Sequence, residues 1–390
     1  MLTLVAHVSS AGAEAGSLRV VHVTAPAEFG GLEQVVRALV LGQSGTEDPH
    51  DVSVVAFVDR AAPEPPLIQD LRNSAVSVHA IGTGRRDYVA QRRALANTLR
   101  ELRPHVVHSH GYHSDVFVAS TRDAHGGALA STVHGFTGGD VKNRIYEWLQ
   151  CHALRRFDAV VAVSTPIAER LRATGVRGER THVLRNAWSP SEATSRDEAR
   201  RVLGIRTRSN PGTLEIGWVG RLSQEKGPDI MVEALHLLAD LPVHATFIGT
   251  GIQQTALQLF AERLGVADRI TWAGALREAG KLLAAFDVLV MSSRTEGTPI
   301  VLFEAVSAGT PVITTAVGGI PDVVSPAEAV LVRDVSPAGV ATAVRVFAGD
   351  RAAATDRSAA AKRRLQRDFA VAPWIDSYTA IYRSMPRRTA

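Results

Sequence analysis

Glu296 and Glu304 stand eight positions apart in SSRTEGTPIVLFEAVSAGTPVITTAVGGIPD, residues 292–322, where an apolar strand gives way to a helix. The strand reads DVLVMSS (287–293), a Gly-Thr-Pro turn follows, and Glu304 falls in the second turn of the helix. A helix starting at such a turn offers unpaired backbone N–H groups and the positive end of its dipole, which together make an anion site. Carboxylates flanking that site would repel a phosphate, yet each can accept hydrogen bonds from two neighbouring hydroxyls. A ligand with sugar at one end, ribose at the other and diphosphate between them meets both demands. Solvated carboxylates would leave the same two letters, but Glu304 lies between VLF and AVSAG. An acid in apolar surroundings is either paired or put to use.

The cations that such a ligand needs lie in GRLSQEKG, residues 220–227, after another apolar strand. Arg221 offers a planar fork for phosphate oxygens and Lys226 a mobile point charge; together they would stabilise the charge that grows on a departing diphosphate. An ordinary basic surface loop is the alternative. Gly30 and Gly31, in FGGLE (29–33), let the backbone approach a ligand at a helix start. Gly249 and Gly251 form part of a glycine fingerprint, without the spacing of a dinucleotide site. His108, His110 and His113 are close enough to suggest a metal, with Asp115 nearby. Strand alternation puts His108 and His110 on one face, and packing or substrate hydrogen bonding is the preferred reading over metal. His134, on a strand-to-loop corner in TVHGF (132–136), is the better candidate for touching a sugar. No P-loop, no Asp-x-Asp and no Gly-x-Ser-x-Gly elbow occurs.

The elements that must position these residues alternate between short β-rich runs and helical spacings. Strands are expected at 18–24, 51–57, 76–80, 105–109, 130–133, 158–164 and 181–185, then at 214–220, 243–249, 269–274, 287–293 and 310–315. Helices are expected at 31–43, 88–103, 142–156 and 166–174, then at 228–240, 252–265, 277–285 and 299–308. This rhythm implies an α/β fold of parallel sheets covered on both faces. The polar stretch 189–212, with a capping box at Ser195 and Glu198, marks a linker. Each candidate follows a strand, at the carboxyl end of its sheet, where open α/β sheets bind ligands. Two such sheets facing each other make one interdomain cleft.

The 390 residues suffice for two cores, and 45% hydrophobic with 21% charged residues is a soluble globular balance. A net charge of +4 without a basic-aromatic stripe argues against nucleic acid. Cys151 is the sole cysteine, so no intrachain disulfide can form, as expected of a cytoplasmic protein. Residues 1–16 read as a loose extension, and Glu304, Pro311 and Gly318-Gly319 break the one nearly uncharged stretch, 300–320. The basic helix within 85–103 reads first as a solvated face, with peripheral contact with the inner face of a membrane as the alternative.

Over nearly its full length the chain resembles the retaining GT-B glycosyltransferases of family 4. The resemblance rests on Gly30-Gly31, His134-Gly135, Gly220-Arg221, Lys226-Gly227, Glu296 to Glu304, the AGTPV run at 308–312 and Gly318-Gly319. It implies two Rossmann-like domains facing an interdomain cleft: 17–188 for the acceptor, 213–372 for the nucleotide-sugar donor, and 373–390 as a helix returning to the first. It implies Arg221 and Lys226 on the diphosphate, Glu304 on the ribose and Glu296 on the transferred sugar. Gly297, Thr298, Pro299 and Ile300 would help to hold phosphate, and Ala275 and Leu276 would border the base. His134 would lie beside the sugar, so that Glu296, His134, Arg221 and Lys226 form the catalytic group. His110, His113 and Asn186 fall on the acceptor side, where Asn186-Ala187-Trp188 replaces a common Asn-Gly-Val-Asp run. The implied reaction moves a sugar to a glycan, lipid-linked or small-molecule hydroxyl with retention, needing neither metal nor cofactor. The alternatives are a nucleotide-sugar epimerase or hydrolase, and a non-catalytic sugar-nucleotide-binding subunit.

Overall fold

The computed structural model describes residues 16–26, 30–45, 49–84, 87–136, 141–188, 194–205 and 212–386. Residues 1–15 of the expected extension, Phe29, Arg85 and Arg86, residues 189–193 and 206–211 of the expected linker, and the last four residues lie outside them.

Seven strands form the first sheet: β1 (Arg19–Thr24), β2 (Asp51–Asp59), β3 (Ser77–Thr83), β4 (Val106–His110), β5 (Ala128–Val133), β6 (Ala159–Ala162) and β7 (Thr181–Val183). Six form the second: β8 (Leu214–Val219), β9 (Val243–Ile248), β10 (Ile270–Gly274), β11 (Val288–Met291), β12 (Val312–Thr315) and β13 (Val330–Val332). Every pairing is parallel, in the orders β3-β2-β1-β4-β5-β6-β7 and β10-β9-β8-β11-β12-β13. The physical cause is visible in β2 and β11, whose Val-rich runs are buried from Val52 to Phe57 and from Val288 to Met291. Such strands need cover on both faces, which crossover helices supply.

The helices are α1 (Gly31–Ser44), α2 (Pro66–Asn73), α3 (Tyr88–Leu102), α4 (Tyr112–Ser120), α5 (Val141–Leu154), α6 (Thr165–Ala173), α7 (Arg196–Val202), α8 (Pro228–Leu237), α9 (Gln254–Arg263), α10 (Ile300–Ser307), α11 (Ile320–Val323), α12 (Pro337–Gly349), α13 (Arg351–Asp368) and α14 (Val371–Ser384). Ser195 caps α7 by accepting from the Glu198 backbone N–H, while the Glu198 carboxylate pairs with Arg201 instead of closing the box. The expected helix at 277–285 is a 3-10 segment, Ala279–Ala285, which begins after Glu278 in a left-handed conformation. Its Gly280 packs directly beneath the Glu304 side chain, so the chain tightens there instead of winding a regular helix. Strand β13 and helices α2, α4, α11, α12 and α13 were not anticipated from the sequence.

Both sheets reverse strand order at one place, β1/β4 in the first and β8/β11 in the second. These switch points are where an open α/β sheet leaves a crevice at its carboxyl edge. One apolar cluster bridges the halves, running from Val20 and Leu39 through Ile300 and Phe303 to Trp374 and Tyr378. Helix α14 packs on α1, with Ile375 against Gly42.

Candidate active site

The loop after β11 turns at 296–299 and starts α10, and this turn is where the two halves meet. A side chain at 297 would collide with the carbonyl oxygen of His134, so Gly297 is what permits the contact. Gly318, at φ 54, and Gly319 pack in the same way on the carbonyls of residues 296 and 297. The Gly319 N–H donates to the Glu296 carbonyl at 3.1 Å. From the first half, Asn186 Nδ2 donates to the Thr298 carbonyl at 3.2 Å, and Thr298 Oγ1 donates to the Val163 carbonyl at 2.5 Å. Asp322 crosses the other way and accepts from the Thr165 N–H at the start of α6, at 3.0 Å.

The turn so fixed puts Glu296 against Lys226. Lys226 Nζ donates to both carboxylate oxygens at 2.8 Å, and Ser293 Oγ donates to Oε1 at 2.6 Å. Only 5% of the Glu296 side chain is exposed, against 26% for Lys226. Arg221, by contrast, is 65% exposed, with Glu225 3.9 Å away. The start of α1 comes up beside that of α10, with Gly31 on the Ile300 side chain, where a Cβ would stand 3.3 Å from Cγ1. Two helix N-termini therefore converge, with Pro299 as the cap residue of α10. Glu304 is partly buried and accepts from Gln34 Nε2 at 3.1 Å; burial raises its pKa.

Other candidates sit differently. Gly249 and Gly251 face the backbones of Gly220 and Leu222, so their lack of a side chain lets two loops of the second sheet zip together. Leu222 N–H donates to the Thr250 carbonyl at 3.0 Å within that zipper. Ala275 is exposed, while Leu276 packs with Ala199 and Leu282. His113 is taken up by an aromatic cluster, edge-on to Phe57 at 4.8 Å and near Phe117 at 4.7 Å. Trp188 is used in packing: its ring lies 6.4 Å from Phe303, its indole N–H donates to Ser307, and its backbone N–H donates to the Phe369 carbonyl at 2.9 Å. Asp115 accepts from Ser109, Ser131 and Gln150, and burial lifts its pKa to about 6.

His108 and His110 do share a face, and join a set with buried His22 and partly buried His134. His22 Nδ1 meets His110 Nε2 at 3.0 Å, and His110 Nδ1 meets His134 Nε2 at 3.4 Å. His22 Nε2 meets Gln43 Oε1 at 2.8 Å, while His108 meets the Tyr382 hydroxyl at 2.6 Å and Thr132 Oγ1 at 2.8 Å. Nitrogens of His22, His108 and His110 lie within 4.8 Å of one another, and each ring nitrogen of the three is engaged by a protein group.

Sequence reasoning missed Ser293, Gln34, Asp322, His22, Gln43, Tyr378 and Tyr382. Ser293, Gln34 and Asp322 each lie three residues from Glu296, Gly31 and Gly319 respectively, which was their local signal.

In outline this is the GT-B architecture of glycosyltransferases, and comparison with known proteins is more specific. Residues 29–192 match the model for Glycosyltransferase Family 4, and residues 213–350 that for Glycosyl transferases group 1. A glycogen synthase of Mycobacterium tuberculosis is 31% identical over 294 residues, covering 70% of this chain and 67% of that protein. A D-inositol 3-phosphate glycosyltransferase of Xylanimonas cellulosilytica is 33% identical over 249 residues, 59% of each. Anabaena HepE, solved in complex with UDP-glucose, superimposes with a TM-score of 0.81 at 19% identity, over 94% of this chain and 100% of that one. The chain belongs to glycosyltransferase family 4 and is a glycosyltransferase. Among the described residues no helix is long and apolar enough to cross a membrane.

Burial makes the histidine set acid-labile. It lowers His22 and His134 from 6.5 to about 4, and lowers His108 and His110 well below 6.5, with neighbouring histidines adding to the effect on the last two. Tyr378 and Tyr382, packed on these rings, are held neutral by burial. The unfolded chain therefore takes up protons that the folded chain refuses, and stability is present above 6.5 and lost as pH falls toward about 4. Each shift to about 4 corresponds to roughly 3 kcal/mol. Denaturant midpoints measured across this window should fall with acidity, and replacing His22 by Gln should flatten the fall. An unchanged midpoint from neutral pH down to 4 would contradict the assignment of neutral rings.

Proposed function

We propose that the chain moves a sugar from a nucleotide-diphosphate sugar to an acceptor hydroxyl with retention of configuration, and that the donor lies along the seam. The observation that carries this reading is the pair of buried Glu296 and half-buried Lys226, beside the turn where Gly297 meets the His134 carbonyl. Without ligand the pair satisfies itself. With donor bound, Lys226 swings to the diphosphate and Glu296 accepts from hydroxyls of the transferred sugar. Arg221, exposed and loosely held, moves onto the same phosphates. Backbone N–H groups of Gly297, Thr298 and Ile300, and of Gly30-Gly31, face the diphosphate from the two helix starts; Pro299 has none to offer. Glu304 accepts from the ribose hydroxyls, displacing Gln34. Ala275 and Leu276 border the base. Gly249 and Gly251 act indirectly, by holding the 220–222 loop. Asn186 stands on the acceptor side; His110, buried with both ring nitrogens engaged by His22 and His134, and His113, packed among aromatic rings, are not placed against the acceptor.

The bond from C1 of the sugar to the diphosphate oxygen breaks, the acceptor oxygen bonds C1 on the same face, and its proton passes to the departing phosphate. Glu296 orients the sugar and does not attack it. No metal is required in this scheme, because Lys226, Arg221 and two helix starts meet the growing charge. The glycogen synthase and HepE likenesses support a glucose-type donor carried by a nucleoside diphosphate.

Titration calorimetry with UDP, beside transfer assays with UDP-glucose, tests these roles. Lys226→Ala should weaken nucleotide binding about 10–100-fold, the loss of one charge-assisted hydrogen bond. Glu296→Ala should lower transfer by roughly 10²–10³-fold, the typical loss of one transition-state contact, and should leave UDP binding intact. Equal loss of binding and turnover in Glu296→Ala would mean that its role is wrong. Epimerised or hydrolysed donor in the absence of acceptor would favour the alternative activity.

For the acceptor the reading is a lipid-linked glycan reached at a membrane surface. Helix α5 exposes Ile145 (52%), Trp148 (64%) and Leu149 (40%) at helical spacing. Helix α4 packs against both α5 and α3, and exposed Tyr88, Val89 and Tyr112 extend the apolar face, with Arg93 and Arg144 exposed on the same helices. Apolar and basic side chains together suit the anionic inner surface of a bilayer. Co-sedimentation with vesicles containing phosphatidylglycerol should retain the wild-type chain and lose most of Trp148→Ser. Wild-type protein remaining in the supernatant would rule the membrane contact out.

A further inference from the structure

The histidine set has a direction, which follows from the one group in it whose two ends differ. Gln43 turns Oε1 toward His22 Nε2 at 2.8 Å and Nε2 toward the Tyr382 hydroxyl at 3.2 Å. A carbonyl oxygen only accepts, so His22 carries its proton on Nε2 and leaves Nδ1 as a lone pair. His22 Nδ1 then accepts from His110 Nε2 at 3.0 Å, which leaves His110 Nδ1 bare. His110 Nδ1 in turn accepts from His134 Nε2 at 3.4 Å. The last ring is left with Nδ1 unprotonated. That atom is buried and has no partner among the described residues.

The opposite polarity would place an N–H on that same atom. A buried N–H without an acceptor is the rarer and costlier orphan. The other branch fits the same direction: the Tyr382 hydroxyl accepts from Gln43 Nε2 and donates to His108 Nδ1 at 2.6 Å, and His108 Nε2 donates to Thr132 Oγ1 at 2.8 Å. Gln43, His22, His110, Tyr382 and His108 each give one hydrogen bond and receive one, His134 gives one and keeps Nδ1 open, and every imidazole is neutral. The chain starts at α1 and the C-terminal helix α14 and ends at the residue whose carbonyl meets Gly297.

We infer that Gln43, His22 and His110 are positioning residues that hold His134 as its Nε2–H tautomer, keeping Nδ1 as a hydrogen-bond acceptor for a hydroxyl of the bound sugar. Two hydrogen-bonded rings separate Gln43 from His134, so Gln43 acts only through the relay. The inference rests on the donor reading for the identity of the hydroxyl, whereas the tautomer is a property of the ligand-free protein.

Imidazole 15N–1H correlation spectra of the full chain at neutral pH read the tautomer directly, with His134→Asn identifying the signal. The expected result is a neutral His134 protonated on Nε2. A signal from the Nδ1–H form, or from imidazolium, would overturn the inference whatever the chain's activity. Gln43→Met removes the acceptor that sets the polarity, and should mix the His134 tautomers. It should also lower kcat with UDP-glucose about tenfold, the loss of one neutral hydrogen bond, with little change in KM for the donor. Gln43→Glu still accepts from His22, though it cannot donate to Tyr382, and should return the His134 signal to the Nε2–H form. Mixed tautomers with unchanged kcat would overturn the role assigned to Nδ1. Should Gln43→Met fail to fold, the wild-type spectrum still decides, and failure of the donor reading would show instead as absent UDP binding with the tautomer intact.

Discussion

Backbone pressed on backbone at residue 297 is the contact around which the rest is arranged. A Cβ there would strike the His134 carbonyl, and Cβ atoms at 318 or 319 would strike the carbonyls of 296 and 297. Close packing offers no slack for such atoms, so the turn occupies a place that only glycine allows. Once there, it is bound by Asn186 and Thr298 to the first half and by Gly319 to the second. The direction of Glu296 follows from the turn, the pairing of Lys226 from Glu296, and the start of α10 from Pro299. Arg294, bonded to Asp229 at 2.8 and 2.6 Å and by its backbone N–H to the Glu225 carbonyl at 2.8 Å, ties the same loop to the Lys226 loop.

The first half answers with a polar interior of unusual extent. Histidines on β1 and β4, a threonine on β5 and tyrosines on α14 replace part of what would otherwise be apolar core. Buried polar groups are costly unless satisfied, and here each bond completes the next up to His134 Nδ1, the one ring nitrogen of the four histidines left open. The cost is sensitivity to acid, since one added proton leaves two donors facing each other. The gain is a rigid path from the returning helix to the cleft. Buried Tyr382 connects helix α14 to His134 at the seam, through Gln43, His22 and His110.

Much of this was legible from local patterns. The apolar runs at 51–57 and 287–293, with helical spacing between strands, identify parallel sheets because such strands must be covered on both faces. Glu304 stood out because its neighbours are apolar, and the structure does bury it in part. What could not be read are partnerships between residues far apart in the chain: Gln34 with Glu304, Asn186 with Thr298, Gln43 with Tyr382. Gly249 and Gly251 show how a local pattern misleads, since their glycines serve loop-on-loop packing with 220 and 222. His113 misled for a similar reason, being close to His110 in sequence but turned by α4 toward Phe57 and Phe117. Helices α12 and α13 were missed because no chemistry-bearing residue drew attention to an Ala-rich stretch.

The central claim is that Lys226 exchanges a carboxylate for a diphosphate when donor enters the seam. A crystal structure of the chain with UDP bound tests this most directly. The account predicts the diphosphate at the start of α10, Lys226 Nζ within hydrogen-bond distance of its distal phosphate, and the Glu296 carboxylate released from chelating Lys226. A nucleotide bound elsewhere, or Lys226 still held by both Glu296 oxygens beside a bound diphosphate, would contradict it.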